Sequence, residues 1–497
     1  MNAAEHLLGK AALARHGGRT ALICGGEKVT YAELAASTAR SASALSSLGV
    51  RPGEAVLVMM RDTPEFAAAW LGAVRAGAAA IAVNTKLSVE DLRHIARDSG
   101  ARLALVEDAF AREGAALGAG PRIVGSDEWR RLLQEARETA PFPADAESPA
   151  FALYSSGTTG RPKRIVHTHR ALLGVGGSFR AFDIGEGDRV FVTSRLFFAY
   201  GIDHGLLAPL ATGATSIFTP DAPEAAAVAD LVEREKPTAM FSVPTVYRRL
   251  LAEVQARPAA FAGVRRFVSA GERLSTSLFA QWRRATGAEI LNLYGMSETF
   301  SACMVTLPGT SDGRRTGQPL PGVEVRLVDE RGGEPGVQQP GVLWVRHPAQ
   351  AHGYASLPEQ TQEQFRDGWF CSRDLFVRDA EGHYVHQGRS DELVKVAGQW
   401  VQPGELEEAA ALDPAVSDAV CVPVHDADGL ERLALFVTPR GDAAAAERAA
   451  AAACEGLARH KRPKWVRAVT ELPRTATGKV QRFKLREILE RELSGKD

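Results

Sequence analysis

Short runs of apolar β-formers recur between longer helix-patterned stretches through residues 55–293. Runs 55–59, 79–83 and 103–106 read as strands, with helices predicted over 66–76 and 89–99. The rhythm returns in strand candidates 189–193, 215–218, 239–243, 266–269 and 289–293, each set between helical stretches. Such βαβα alternation predicts a mostly parallel sheet covered by helices. Ahead of it, Thr30 and Glu33 form a capping box, in which each side chain satisfies a free backbone N–H. The helix they open should run to about Leu48, where Gly49 supplies a stop.

After Pro308 the texture changes. Gly and Pro become dense, and the alternating runs 323–328, 341–345 and 384–387 suggest a small antiparallel β-barrel. A third texture follows Asp391: a helix over 403–412, strands 419–424 and 433–437, an Ala-rich helix over 443–458 and a last helix over 483–493. These make a separate α+β domain of ordinary size. The chain of 497 residues is long enough for about three compact units. The expected fold class is therefore α/β: a large N-terminal domain of two βαβ-type sheet subdomains plus the small barrel, then a smaller C-terminal domain.

With 59 Lys+Arg against 60 Asp+Glu, the formal charge is −1, which argues against a dedicated nucleic-acid or membrane-surface binder. Cys24, Cys303, Cys371, Cys421 and Cys454 are scattered with no CxxC pair. That disfavours a disulfide framework or a zinc site and fits a reducing cytoplasm. Glu5, His6 and Lys10 interrupt any apolar leader, and the most apolar stretch, 66–83, is Ala/Gly-rich and carries Arg75. A soluble intracellular protein is expected.

The densest chemistry lies just after an apolar run at 150–153. Tyr154 is followed by Ser155, Ser156, Gly157, Thr158, Thr159, Gly160, Arg161, Pro162 and Lys163. Glycines let the backbone curl, hydroxyls and N–H groups surround an anion, and Lys163 adds positive charge. The string reads as a phosphate cradle. It is not a Walker loop, because the GxxxxGK[ST] spacing from Gly157 falls on Pro162. A polar surface loop is the alternative that composition alone allows.

Further blocks follow in order: Ser269-Ala270-Gly271-Glu272, Tyr294-Gly295-Met296-Ser297-Glu298, Ser372-Arg373-Asp374, Gly388-Arg389-Ser390-Asp391, and Pro473-Arg474-Thr475-Ala476-Thr477-Gly478-Lys479. With the loop at 155–163 they resemble the adenylate-forming superfamily of acyl- and aryl-CoA ligases, luciferases and peptide-synthetase adenylation domains. The second block departs from the family's YGxTE in carrying Ser297 for Thr.

The resemblance implies an enzyme that activates a carboxylic acid with ATP and Mg2+, releases pyrophosphate, and passes the acyl group to the thiol of CoA. It implies an adenylation domain over 1–388, a hinge at 389–391 and a mobile domain over 392–497. Like charges repel as a carboxylate approaches a polyphosphate, so such catalysis rests on neutralisation and in-line positioning. The loop 155–163 would hold the β- and γ-phosphates, and Glu298 would bind or orient Mg2+, a hard cation. Asp374 would accept from both ribose hydroxyls with Arg389 nearby, and Gly271, Glu272 and Tyr294 would line the adenine pocket. Lys479 is implied as the catalytic lysine that stabilises charge at the α-phosphate. Asp391 is implied as the hinge, Gly398 as a close approach for a pantetheine chain, and Trp400 as a tunnel wall or a packing residue. The basic C-terminal stretch 459–497, with 12 Lys/Arg against 5 Asp/Glu, suits ATP and CoA.

The acyl pocket is expected to draw on Phe198, Ala199, Tyr200 and Gly201, a string that looks like benzoate-type CoA ligases, with Gly295 and Ser301. Aromatic walls suit a flat ring. Tyr200 stands where α-amino-acid activators place an Asp, while Asp203 keeps an amino-substituted acid open. Ser301 stands where benzoate-type members tend to carry a bulkier His, which leaves room for a ring substituent. Benzoate, a hydroxy- or aminobenzoate, or a larger aryl acid all fit. His204 is a polar contact or a structural residue. His167 and His169 read as ordinary residues beyond the loop rather than a metal pair. The rival reading is a freestanding enzyme loading a carrier protein, since no carrier domain is visible up to Asp497; a homodimer is compatible with either. A phosphoryl-transfer kinase or ATPase would need the missing Walker spacing, and a non-catalytic nucleotide sensor would not need Glu298 and Lys479.

Overall fold

The computed structural model describes residues 1–156, 161–396, 398–426, 428–473 and 480–493, apart from the side chains of Ser156 and Trp400. By contacts the chain divides into two compact units. One comprises 1–326, 344–372 and 379–385; the other comprises 327–343, 373–378 and 386–497.

The first unit holds two helix-covered sheets, as the alternation predicts. One has six strands in the order Arg122–Val124, Leu103–Val106, Ala55–Met59, Ala79–Ala82, Pro149–Ser156, Pro162–Thr168. All its pairings are parallel except the last, an antiparallel hairpin. Strands Ala55–Met59, Ala79–Ala82 and Leu103–Val106 are buried at every position, because both sheet faces are covered. Val56, Val58 and Leu105 face the helices Tyr31–Ser47 and Pro64–Arg75, while Leu57, Met59 and Ala104 face the helix Val89–Ser99. The capping box is formed: Glu33 N–H donates to Thr30 Oγ1, and Thr30 N–H donates to Glu33 Oε2 at 2.8 Å.

The second sheet has nine strands. Its run of six parallel neighbours is Ile290–Gly295, Arg266–Ser269, Ala239–Ser242, Arg189–Val192, Thr215–Phe218, Thr20–Cys24. Phe191, Met240 and Phe267 face the helices that cover one side, and Val190, Phe241 and Val268 face the other. The edge strand Glu27–Thr30 was not among the strand candidates. It pairs antiparallel with Thr20–Cys24 across Gly25 and Gly26, both at positive φ, the two-residue turn that suits strand twist.

After Pro308 strands appear where expected, at Glu324–Val328, Gly341–Arg346 and Tyr384–Arg389, together with the ten-residue strand Trp369–Arg378, which was not among the candidates. The division between the two units runs through this stretch. In the second unit, strands Val416–His425, Glu431–Pro439 and Trp465–Ala468 form a sheet whose residues alternate strictly. Cys421, Leu433, Leu435 and Val437 pack with residues of the helices Pro403–Ala411 and Ala443–Cys454; Val420, Val422 and Phe436 pack with Leu485 and Leu489 of the helix Arg482–Leu493. The Ala-rich helix ends at Cys454, earlier than the run to 458 that composition suggests.

Candidate active site

In parallel sheets, ligand sites form in the crevice beyond the carboxyl ends of the strands. The predicted blocks lie there in the first unit: Gly271 and Glu272 follow the strand Arg266–Ser269, and Tyr294 to Glu298 end and follow Ile290–Gly295. Gly271 sits at φ +80°, a left-handed turn that favours glycine. Glu272 accepts from the Thr245 hydroxyl at 2.7 Å and the Thr245 N–H at 3.3 Å, at the start of the helix Pro244–Ala256. A Cβ at Gly295 would stand 3.1 Å from the Ser301 carbonyl, so the backbone closes tightly there.

The two described ends of the phosphate motif lie on strands. Ser155 and Lys163 are cross-strand partners in the hairpin Pro149–Ser156 / Pro162–Thr168, so Lys163 projects from a strand. Gly157, Thr158, Thr159 and Gly160 lie outside the described residues. The hairpin is anchored by the Tyr154 hydroxyl, which donates to Asp98 at 2.7 Å, and by Arg164, which pairs with Asp98 at 3.1 Å.

Lys163 is buried, and its ammonium stands 5.4 Å from the ring centre of Tyr354. The Tyr354 hydroxyl lies 2.7 Å from Glu298 Oε1 and 2.7 Å from Gln364 Oε1. A phenol has one proton, and the carboxylate is the stronger acceptor. The Gln364 amide is then turned so that its NH2 donates to the phenol oxygen. Tyr354 thus joins the predicted cation to the predicted metal-side carboxylate. Sequence reading missed it, because it sits in a Gly/Pro-rich stretch with no motif of its own. What places it is a bridge to Ile165 on the Lys163 strand, with Ala355 N–H donating to Arg164 O at 2.9 Å.

Glu298 is held from two more sides. Ala351 N–H donates to its carbonyl at 2.9 Å, and His167 Nε2 donates to the Ser297 carbonyl at 2.8 Å. Next along, Phe300 has φ +60°, a strained value for a side chain of this size, and is buried edge-on against Phe151. His167 and His169 are fully buried, and burial pushes both rings down to about 4. His169 Nδ1 accepts from Ala3 N–H at 3.1 Å, so the two rings serve separate structural contacts rather than a shared metal. Among the described residues, Asp379, Glu381 and His383 bring ligand atoms within 4.8 Å of one another, but Arg315 already pairs with Asp379 and Glu381.

The acyl-pocket string runs into a helix rather than along a strand. Phe198 precedes the helical turn Ala199–Ile202, a π-turn spans Asp203–Leu207, and α-helix resumes at Ala208–Thr212. π-turns inside helices often mark functional sites. Phe198, Ala199 and Tyr200 are half-buried, and the Tyr200 hydroxyl reaches the carbonyls of Ser242 and Val268, each at 3.3 Å, at strand ends. Gly201 is fixed by space: a Cβ would stand 2.0 Å from the Arg195 carbonyl. Arg195 is structural, paired with Asp62 at 3.2 Å. Ser301 is buried and donates to Asp203 Oδ2 at 3.0 Å.

The remaining groups lie in the second unit. Arg389 forks onto Asp391 through Nε at 2.9 Å and Nη2 at 2.8 Å, and its Nη1 stands 3.5 Å from Asp374 Oδ1. Burial works against the charged form of Asp391, but the Arg389 fork holds its carboxyl below the ordinary value. Gly398, at φ +80°, turns the hairpin Val394–Val396 / Gln399–Val401, and a Cβ there would meet open space. Lys479 and the side chain of Trp400 lie outside the described residues. Among those described, no helix is long and apolar enough to cross a membrane.

Comparison with known proteins gives the family. Residues 9–355 match the AMP-binding enzyme family, and residues 405–479 match the AMP-binding enzyme C-terminal domain. A 3-hydroxybenzoate–CoA ligase of Aromatoleum sp. (strain CIB) is 39% identical over 98% of this chain and 97% of its own. A 3-hydroxybenzoate–CoA/4-hydroxybenzoate–CoA ligase of Thauera aromatica is 38% identical over 99% of this chain and 98% of its own. Among solved structures, the anthranilate CoA ligase AuaEII in complex with anthranoyl-AMP superposes with a TM-score of 0.92 at 30% identity, covering 99% of this chain and 98% of that one. A fold of two helix-covered sheets with the ordered motif blocks at their strand ends defines an adenylate-forming ligase. The chain belongs to the AMP-binding enzyme family.

Proposed function

We propose that this AMP-forming acid–thiol ligase activates an aromatic acid, a hydroxybenzoate foremost, as its acyl adenylate and transfers the acyl group to CoA. The observation that carries the reading is the likeness, over nearly the whole chain, to ligases that act on hydroxybenzoates. In this reading Ser155 to Lys163 hold the β- and γ-phosphates. Glu298, oriented by Tyr354, holds Mg2+, which neutralises phosphate charge when bound. Tyr294, Gly271 and Glu272 line the adenine site, and Asp374 and Arg389 hold the ribose. Phe198, Ala199, Tyr200, Gly201, Gly295 and Ser301 surround the ring of the acid. Lys479 supplies charge at the α-phosphate. Asp391, in a hinge at 389–391 between domains 1–388 and 392–497, serves the change to thioester formation, with Gly398 and Trp400 beside CoA. The protein works in the cytoplasm.

The test is a pyrophosphate-release screen over substituted benzoates and short aliphatic acids, with and without CoA. The expected result is AMP, pyrophosphate and an aryl-CoA from at least one hydroxybenzoate. ADP as product, or turnover of aliphatic acids alone, counts against the reading. Transfer to a phosphopantetheinylated carrier in preference to CoA would favour the carrier-loading alternative.

A further inference from the structure

Asp203 is fully buried, yet only one of its carboxyl oxygens is engaged. Oδ2 accepts from the Ser301 hydroxyl at 3.0 Å, while Oδ1 has no hydrogen-bonding partner among the described residues. Leaving a buried acceptor without a donor is costly, so such an atom calls for an explanation. His204 does not supply one. Its Nδ1 donates to the Tyr200 carbonyl at 3.2 Å, and its Nε2 accepts from the Ser178 hydroxyl at 3.1 Å. That geometry uses both ring nitrogens and leaves Nδ1 3.7 Å from Oδ2.

The position of Asp203 says what ligand it awaits. It follows Ala199 and Tyr200 by four and three residues, so it lies on the same helical face, about one turn on from these half-exposed residues. Ser301 meets it from the loop that carries Glu298. We infer that Asp203, oriented by Ser301, is the specificity-determining residue that accepts a hydrogen bond from a donor on the ring of the acid, and so selects hydroxybenzoates over benzoate. This rests on the aromatic-acid reading above. Oδ1 is already closed to water, so an unsubstituted ring would leave it without a donor, whereas a ring O–H would satisfy it. Sites built to hydrogen-bond a hydroxyl discriminate strongly against analogues that lack one. An amino substituent shares the donor chemistry. A methoxy group has similar bulk and no donor, so it separates hydrogen bonding from mere room.

The experiment measures kcat/KM by pyrophosphate release for benzoate, the three hydroxybenzoates, 3-aminobenzoate and 3-methoxybenzoate, using wild type, Asp203→Leu and Ser301→Ala. The best donor-bearing acid should exceed benzoate and 3-methoxybenzoate in the wild type. Asp203→Leu should shrink that preference on the order of tenfold or more, and Ser301→Ala by a smaller factor in the same direction. Thermal melting shows whether Asp203→Leu folds; if it does not, Ser301→Ala decides alone. A preference unchanged in a folded Asp203→Leu variant, or equal losses for all acids, overturns the assignment of Asp203. So does a wild type that prefers benzoate or the methoxy acid. A wild type that turns over none of these six aromatic acids overturns the aromatic-acid reading itself, and this inference with it.

Discussion

Tyr354→Phe removes one oxygen and keeps the ring beside Lys163, so it isolates what the hydroxyl does for Glu298. A hydrogen bond to a charged group is worth roughly 1.5–3 kcal/mol. Tyr354 is only 7% exposed, so water cannot readily replace the lost donor. Taking about 2 kcal/mol and about 1.4 kcal/mol per tenfold, the variant should lose roughly 30-fold in kcat/KM for MgATP, if Glu298 must hold its geometry for the metal. The assay is acid-dependent exchange of labelled pyrophosphate into ATP, titrating MgATP at saturating acid, then acid at saturating MgATP. The loss should fall on the MgATP titration, and a thermal melt should show a folded variant. A folded Tyr354→Phe whose kcat/KM for MgATP stays within about threefold of wild type would refute the argument. So would an equal loss in the acid titration.

Lys479→Ala should nearly abolish acyl-adenylate formation while a supplied acyl adenylate still reacts with CoA; equal loss of both half-reactions would remove the lysine from the first step. Gly201→Ala drives a methyl to 2.0 Å from the Arg195 carbonyl, so the turn must shift; it should raise KM for the acid and lower the melting temperature, and wild-type values for both would contradict the packing. His167 and His169 titrate near 4 when folded against an ordinary 6.5. Between those values the unfolded chain binds protons that the folded chain does not. Stability should therefore fall as pH drops from 6.5 toward 4, by at most about 1.4 kcal/mol per pH unit per ring. Urea midpoints measured across that range test the slope, and midpoints that do not move would be inconsistent with two rings buried neutral.

What sequence could and could not reveal follows the range of each interaction. The strands 55–59, 103–106, 215–218 and 266–269 are bounded as the apolar runs predict, because a strand covered on both faces has no polar alternation to blur its ends. The missed hairpin at Thr20–Thr30 carried a local signal in Gly25-Gly26 between two β-forming runs, so it was legible in principle. The site divides differently. Lys163 and Glu298 announce themselves through local motifs, but their junction at Tyr354 depends on a bridge between residues 165 and 354. Ser301 and Asp203 are 98 residues apart, and although sequence marks each as a candidate for the acid pocket, nothing in it shows that the two meet. Their meaning comes from the buried hydrogen bond and the oxygen it leaves unsatisfied, and both exist only once the loop after Glu298 folds against the helical segment that carries Asp203. Motifs therefore identify the chemistry common to adenylate formation. The residue that would choose among acids sits outside every motif, because choice is made by the shape and polarity of a cavity that no contiguous string encodes.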